Sequence, residues 1–123
     1  MKKRILVADD EPNIVTALEF MLTRAGYDVA IARNGEEVLR KVAEAAPDLI
    51  LLDVMMPLLS GYDVCRQLRG RAGGPAMKIV MLSARGRESE SQRGLEAGAD
   101  LYVVKPFSTQ ELLGRIDSLL RGC

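Results

Sequence analysis

Apolar residues along the chain fall into five short unbroken runs: ILVA (5–8), VAIA (29–32), LILL (49–52), IVML (79–82) and LYVV (101–104). A strand with one face in water alternates apolar and polar positions, whereas an unbroken run marks a strand covered on both faces. Between the runs the spacing changes to three and four. Pro12 opens the first amphipathic stretch, which carries Ile14, Leu18, Met21 and Leu22 on one side and stops at Gly26, suited to a left-handed helix terminus. The second follows Asn34, presents Val38, Leu39, Val42 and Ala46, and ends before Pro47. A third begins near Tyr62 and turns Val64, Cys65 and Leu68 inward. The last follows Ser108, has Glu111 three positions on as in a capping box, and buries Leu112, Leu113, Ile116, Leu119 and Leu120. The fourth, over about 87–97, has only Leu95 and small residues as apolar anchors. It is predicted to be weakly held and easily shifted.

Strand and helix alternate five times, which predicts a parallel sheet with helices on both faces. No repeat or linker divides the chain, and GRAGGP (70–75) is a loop, so residues 1–123 are expected to form one domain. Seventeen basic and seventeen acidic residues leave no net charge to draw the protein onto nucleic acid or an anionic membrane. No apolar run approaches the ~18–20 residues of a membrane span, and MKKRILVADD is too short in its apolar part for a signal peptide. A cytoplasmic protein is expected. The two cysteines, Cys65 and Cys123, read as a packing residue and a loose tail thiol. There is no histidine, which removes histidine catalysis and histidine metal ligands.

Candidate chemistry collects after the strands. Asp9 and Asp10 follow the first, Asp53 the third, Ser83 the fourth and Lys105 the fifth. These are carboxyl ends, the edge where open parallel sheets bind ligands. With those strands adjacent at ~4.8 Å spacing, three carboxylates, a hydroxyl and an ammonium share one crevice. Each residue alone has a plainer reading: Asp is a common turn residue, Ser83 can cap a helix, and Lys105-Pro106 can be an ordinary strand exit. Their conjunction points to a site.

The residues that carry a resemblance are LVADDEP at the first strand, LLDVMMPLLSG around Asp53, LSAR at Ser83 and GLEAGADLYVVKPFSTQEL through Lys105. Together they resemble the response-regulator receiver domain of bacterial two-component signalling, over essentially the whole chain. The resemblance implies a doubly wound, flavodoxin-like α/β fold with strand order 2-1-3-4-5 and five helices. It makes Asp53 the phosphoacceptor for a phosphoryl group from a sensor histidine kinase or phosphotransfer protein. It makes Asp9, Asp10, Asp53 and the backbone carbonyl of Met55 the ligands of Mg²⁺. Ser83 and Lys105 would hold the phosphoryl oxygens, and Tyr102 would rotate inward on activation as Ser83 moves. The chemistry agrees. A carboxylate attacking a phosphoryl group meets anion repulsion that a hard divalent cation relieves, and adjacent Asp9 and Asp10 suit one such ion. At least one carboxylate pKa is expected to be raised.

Met55 and Arg85, two residues beyond Asp53 and Ser83, suit neither orientation of a water nor base catalysis, so slow self-dephosphorylation is expected. Such a protein is not an enzyme beyond its own phosphorylation and dephosphorylation. The end of the chain also resembles receivers of winged-helix transcription factors, which dimerise through the fourth helix, fifth strand and fifth helix. Asp100, Glu111 and Arg115 match charged residues of that face, while Leu101 replaces a second acid and Ser91 a basic partner. Phosphorylation-linked dimerisation and its absence both stay open. An aspartyl phosphatase would place an acid where Met55 stands, and a nucleotide-binding module would need a Gly/Ser-rich cradle in place of DDEPN. Within the family, a docking module independent of phosphate and the receiver half of a DNA-binding regulator are the alternatives. The chain has no recognition helix or basic patch for DNA.

Overall fold

Three of the five apolar runs, 5–8, 49–52 and 79–82, are continuous because their strands are covered on both faces, whereas 29–32 and 101–104 lie on strands at the sheet edges and are only partly covered. The computed structural model describes residues 2–56, 58–71, 76–84 and 88–121. Ten elements alternate: β1 (Arg4–Ala8), α1 (Pro12–Arg24), β2 (Asp28–Ala32), α2 (Gly35–Glu44), β3 (Leu49–Asp53), α3 (Gly61–Arg69), β4 (Lys78–Ser83), α4 (Glu88–Glu96), β5 (Leu101–Val104) and α5 (Thr109–Leu120). The strands form one parallel sheet in the order β2-β1-β3-β4-β5, as the resemblance implied. Central β3 is buried at all its positions, whereas edge strand β2 exposes Asp28 and Ala30.

Alternate strand residues feed two separate cores. Leu6, Ala8, Ile50, Leu52, Ile79 and Met81 face α2, α3 and α4. Ile5, Val7, Leu49, Leu51, Val80 and Leu82 face α1 and α5. Helix starts are capped as their sequences ask: Asn34, Ser60 and Ser108 each accept a hydrogen bond from the amide three residues on. Helix α1 begins at Pro12 and is followed by Gly26 at φ +97°, the left-handed region.

Several expectations shift in detail. Val15, not Ile14 or Met21, joins Leu18 and Leu22 as the buried stripe of α1, and the other two are half-buried. Ala46 lies beyond the end of α2 and is exposed, while Pro47 is buried. In α5 only Leu112 and Ile116 are fully buried, and Leu113, Leu119 and Leu120 are half-covered. Its capping box is half made. Ser108 Oγ accepts from the Glu111 amide at 3.3 Å, but the Glu111 carboxylate lies 3.6 Å from Arg115. Leu95, expected to anchor α4, is 50% exposed; Gly94 and Ala97 face the core instead. Small residues allow α4 to lie close to the sheet, and a leucine on that face would hold it off.

Candidate functional site

Register brings the strand ends level. Ala8 pairs Leu52, Asp53 pairs Leu82 and Ser83 pairs Val104, so the residues that follow β1 and β5 sit beside the ends of β3 and β4. Asp9 N–H donates to Ala32 O and Lys105 N–H to Ser83 O, which carries the ladder one residue past β1 and β5. The Lys105–Pro106 peptide is cis. Asp9, Asp53 and Ser83 are buried, and Asp10 is exposed at the rim.

One carboxylate oxygen from each of Asp9, Asp10 and Asp53 lies within 4.8 Å of the others. Such a set of hard oxygen donors fits a hard divalent cation better than a soft or imidazole-seeking one. Lys105, whose side chain is 11% exposed, stands over them. Its Nζ donates to Asp9 Oδ2 at 2.9 Å and lies 3.7 Å from Asp53 Oδ1. It also reaches Glu11 Oε1 at 3.3 Å. Three carboxylates therefore share one ammonium, and a fourth, Asp10, lies beside them at the rim.

That imbalance appears in the titration of the groups. Burial raises the Asp53 pKa to about 6, the nearby charges of Asp9 and Asp10 add to it, and the Met55 amide and Lys105 only partly oppose it. The expectation of a raised carboxylate is met at Asp53. For Lys105 burial works toward a lower value. The hydrogen bond to Asp9, the charges of Asp53 and Asp9 and the bond to Glu11 outweigh it, so the ammonium is held above its ordinary range. The Met55 amide donates to Asp53 Oδ1 at 3.1 Å, while the Met55 side chain is 56% exposed.

Tyr102 is half-buried and packs on the α2–α3–α4 side of the sheet, opposite Met81 in register. The residues expected at an interface lie away from the acids. Asp100 is engaged within the chain: its Oδ2 accepts from Arg69 Nη2 at 2.7 Å and from the Ile79 amide at 2.8 Å. Leu101 is half-buried, and Glu111 and Arg115 pair along α5. Arg85 and Cys123 lie outside the described residues, as do Pro57 and most of the GRAGGP loop, and of Ser91 only its place in α4 is described. Cys65 is buried and packs in the core. Glu11 and Arg69 were not singled out by sequence reading. A third acid in DDEPN was the available signal for Glu11, but nothing local marks Arg69 as the partner of Asp100.

A sheet-edge site of three acids, a hydroxyl and a lysine on this topology defines a class, and comparison with known proteins agrees. Residues 5–117 match the family model described as the response regulator receiver domain. The chain belongs to this family: it is a receiver domain of two-component signal transduction. It is 50% identical over 121 residues to the alkaline phosphatase synthesis transcriptional regulatory protein PhoP of Bacillus subtilis, covering 98% of this chain and 50% of that protein. Among solved structures, the CheY-like receiver domain protein of Methanospirillum hungatei superposes with a TM-score of 0.92 at 31% identity, covering 99% of this chain and 96% of that one. The BeF3-activated DrrB receiver domain gives 0.91 at 34% identity, covering 98% and 99%. The chain spans about half the length of the curated relatives it matches. No helix among the described residues is long and apolar enough to cross a membrane.

Proposed function

We propose that residues 1–123 form a single cytoplasmic phosphoacceptor domain that takes a phosphoryl group from phosphohistidine of a sensor kinase or phosphotransfer protein onto Asp53. The observation that carries this reading is the nearly buried carboxylate of Asp53, with an ammonium 3.7 Å from Oδ1 and two further carboxylates within 4.8 Å. Oδ1 is held by the Met55 amide and faces Lys105, which leaves Oδ2 to attack phosphorus. The P–O bond to Asp53 forms as the P–N bond breaks, and the departing imidazole nitrogen keeps the electron pair. Lys105 then follows the charge onto a phosphoryl oxygen, and the Ser83 hydroxyl donates to another. Asp9, Asp10, Asp53 and the Met55 carbonyl would hold Mg²⁺, which when bound offsets the repulsion between attacking carboxylate and phosphoryl group.

Ser83 ends β4 and Tyr102 lies on adjacent β5, so movement of the hydroxyl toward the phosphoryl group opens room on the side where the ring packs. The domain is a two-state switch that phosphorylation biases, and it turns over nothing but its own aspartyl phosphate. Intact mass after incubation with acetyl phosphate and Mg²⁺ tests this. A Mg²⁺-dependent phosphoryl adduct, absent from Asp53→Ala, is expected. An adduct that persists in Asp53→Ala, or none on folded wild-type protein with either acetyl phosphate or a phosphorylated kinase, rejects the assignment.

A further inference from the structure

Glycine inside a helix is disfavoured relative to alanine, since its backbone has more freedom to lose. Gly94 in α4 and Gly114 in α5 are both interior. Their surroundings differ. A methyl carbon on Gly114 would meet nothing within 4 Å, whereas one on Gly94 would lie 2.8 Å from Cδ2 and 3.3 Å from Cε2 of Tyr102, and 2.9 Å from Sδ of Met81. Met81 and Tyr102 are cross-strand partners, so the bare backbone of α4 closes directly over both.

A side chain added at 94 forces something to move, and the neighbours decide what. Helix α4 is held on both sides of Gly94. Arg93 stacks over the Tyr62 ring at 4.2 Å, and past the last turn Arg69 Nε donates to Gly98 O at 2.7 Å. Met81 is fully buried. Tyr102 is only half-buried, and beside it runs a groove of about 260 Å³ lined by Val104, Pro106, Phe107, Glu111 and Arg115. The ring is the part that yields.

We infer that Gly94 is a positioning residue: its lack of a side chain lets the Tyr102 ring lodge beneath α4, and position 94 thereby sets the balance between inward and outward ring. The inference rests on the reading of Tyr102 as the switch residue. It gives the two helix glycines opposite roles, one required by a close approach and the other a position that alanine improves.

Gly94→Ala, with Gly114→Ala as control, provides the test. In Gly94→Ala, nitration of Tyr102 by tetranitromethane, located by peptide mass, should quicken several-fold, and affinity for beryllofluoride in Mg²⁺ should fall about tenfold. Gly114→Ala should change neither and should raise the melting temperature. A Gly94→Ala protein with native nitration rate and native beryllofluoride affinity overturns the inference. Should Gly94→Ala fold poorly, Gly94→Ala/Tyr102→Ala decides. Recovery of stability in the double variant supports a clash with the ring, and a double variant no more stable than Gly94→Ala overturns it. Nitration needs no phosphoryl group, so a wild-type protein that never gains an adduct on Asp53 removes the switch reading alone.

Discussion

Asp53 sits where burial and two neighbouring acids work against its charge, and stability inherits that opposition. Its ordinary value is 3.8 and its folded value about 6, so between these limits the folded state binds more protons than the unfolded chain. Stability therefore falls as pH rises from about 4 to about 6, and the full cost is present above that window. Asp53→Asn keeps the shape without the charge. In metal-free buffer near neutral pH it should be more stable by about 1–3 kcal/mol in urea titrations, a gain that shrinks toward pH 4. Millimolar Mg²⁺ should raise the melting temperature of the native protein by a few degrees and that of Asp53→Asn by less. An unchanged native melting temperature would rule out the acidic cluster as a cation site. A second residue stores strain of another kind. Leu58 adopts φ +75° while 68% exposed, so its side chain gains little for the left-handed backbone it must hold. Leu58→Asn should stabilise by about 1 kcal/mol, read from the denaturation midpoint.

At the scale of elements, α4 is the instructive case, since its polar sequence suggests a loose helix and its C-terminal end is firmly tied. Arg69, at the end of α3, donates to the carbonyls of Gly98 and Met77 and to Asp100, joining three segments through one guanidinium. Gly98 has φ +111°, and a side chain there would meet Arg69 Cγ at 2.7 Å, so the approach of the arginine depends on this glycine. Arg69→Met should cost about 2–4 kcal/mol and speed amide exchange at residues 97–100 before the rest of the sheet. Strand positions, the parallel sheet and the acids at strand ends were legible because continuous apolar runs and strand-end acids are local patterns, whereas the strand order came only with the family resemblance. The anchoring of α4 was not. Periodicity searches for large apolar residues and so selects Leu95, whereas the contact is made by Gly94 and Ala97, whose value lies in their small size. The pairing of Asp100 with Arg69 joins residues 31 positions apart, and no short motif announces it.

For the whole molecule, the two helical layers are fastened independently. Tyr27, just before β2, donates its hydroxyl to Asp117 of α5, and burial together with that bond raises the phenol to about 12 from 10.0. Below pH 10 the phenol is protonated in both states. As pH rises from 10 toward 12 the unfolded chain ionises first, so stability drops across that window. Tyr27→Phe should lose about 1 kcal/mol at neutral pH and show a shallower alkaline decline in chemical denaturation. This fastening belongs to the α1–α5 side, while Tyr102, Met81 and α4 belong to the other. The sheet between them is a partition one strand thick. On the reading proposed for Ser83 and Tyr102, movement between them would run along one face of the sheet, and α1 lies across the partition from it. A reporter dye on α1 should then stay silent through the transition that a dye near α4 registers.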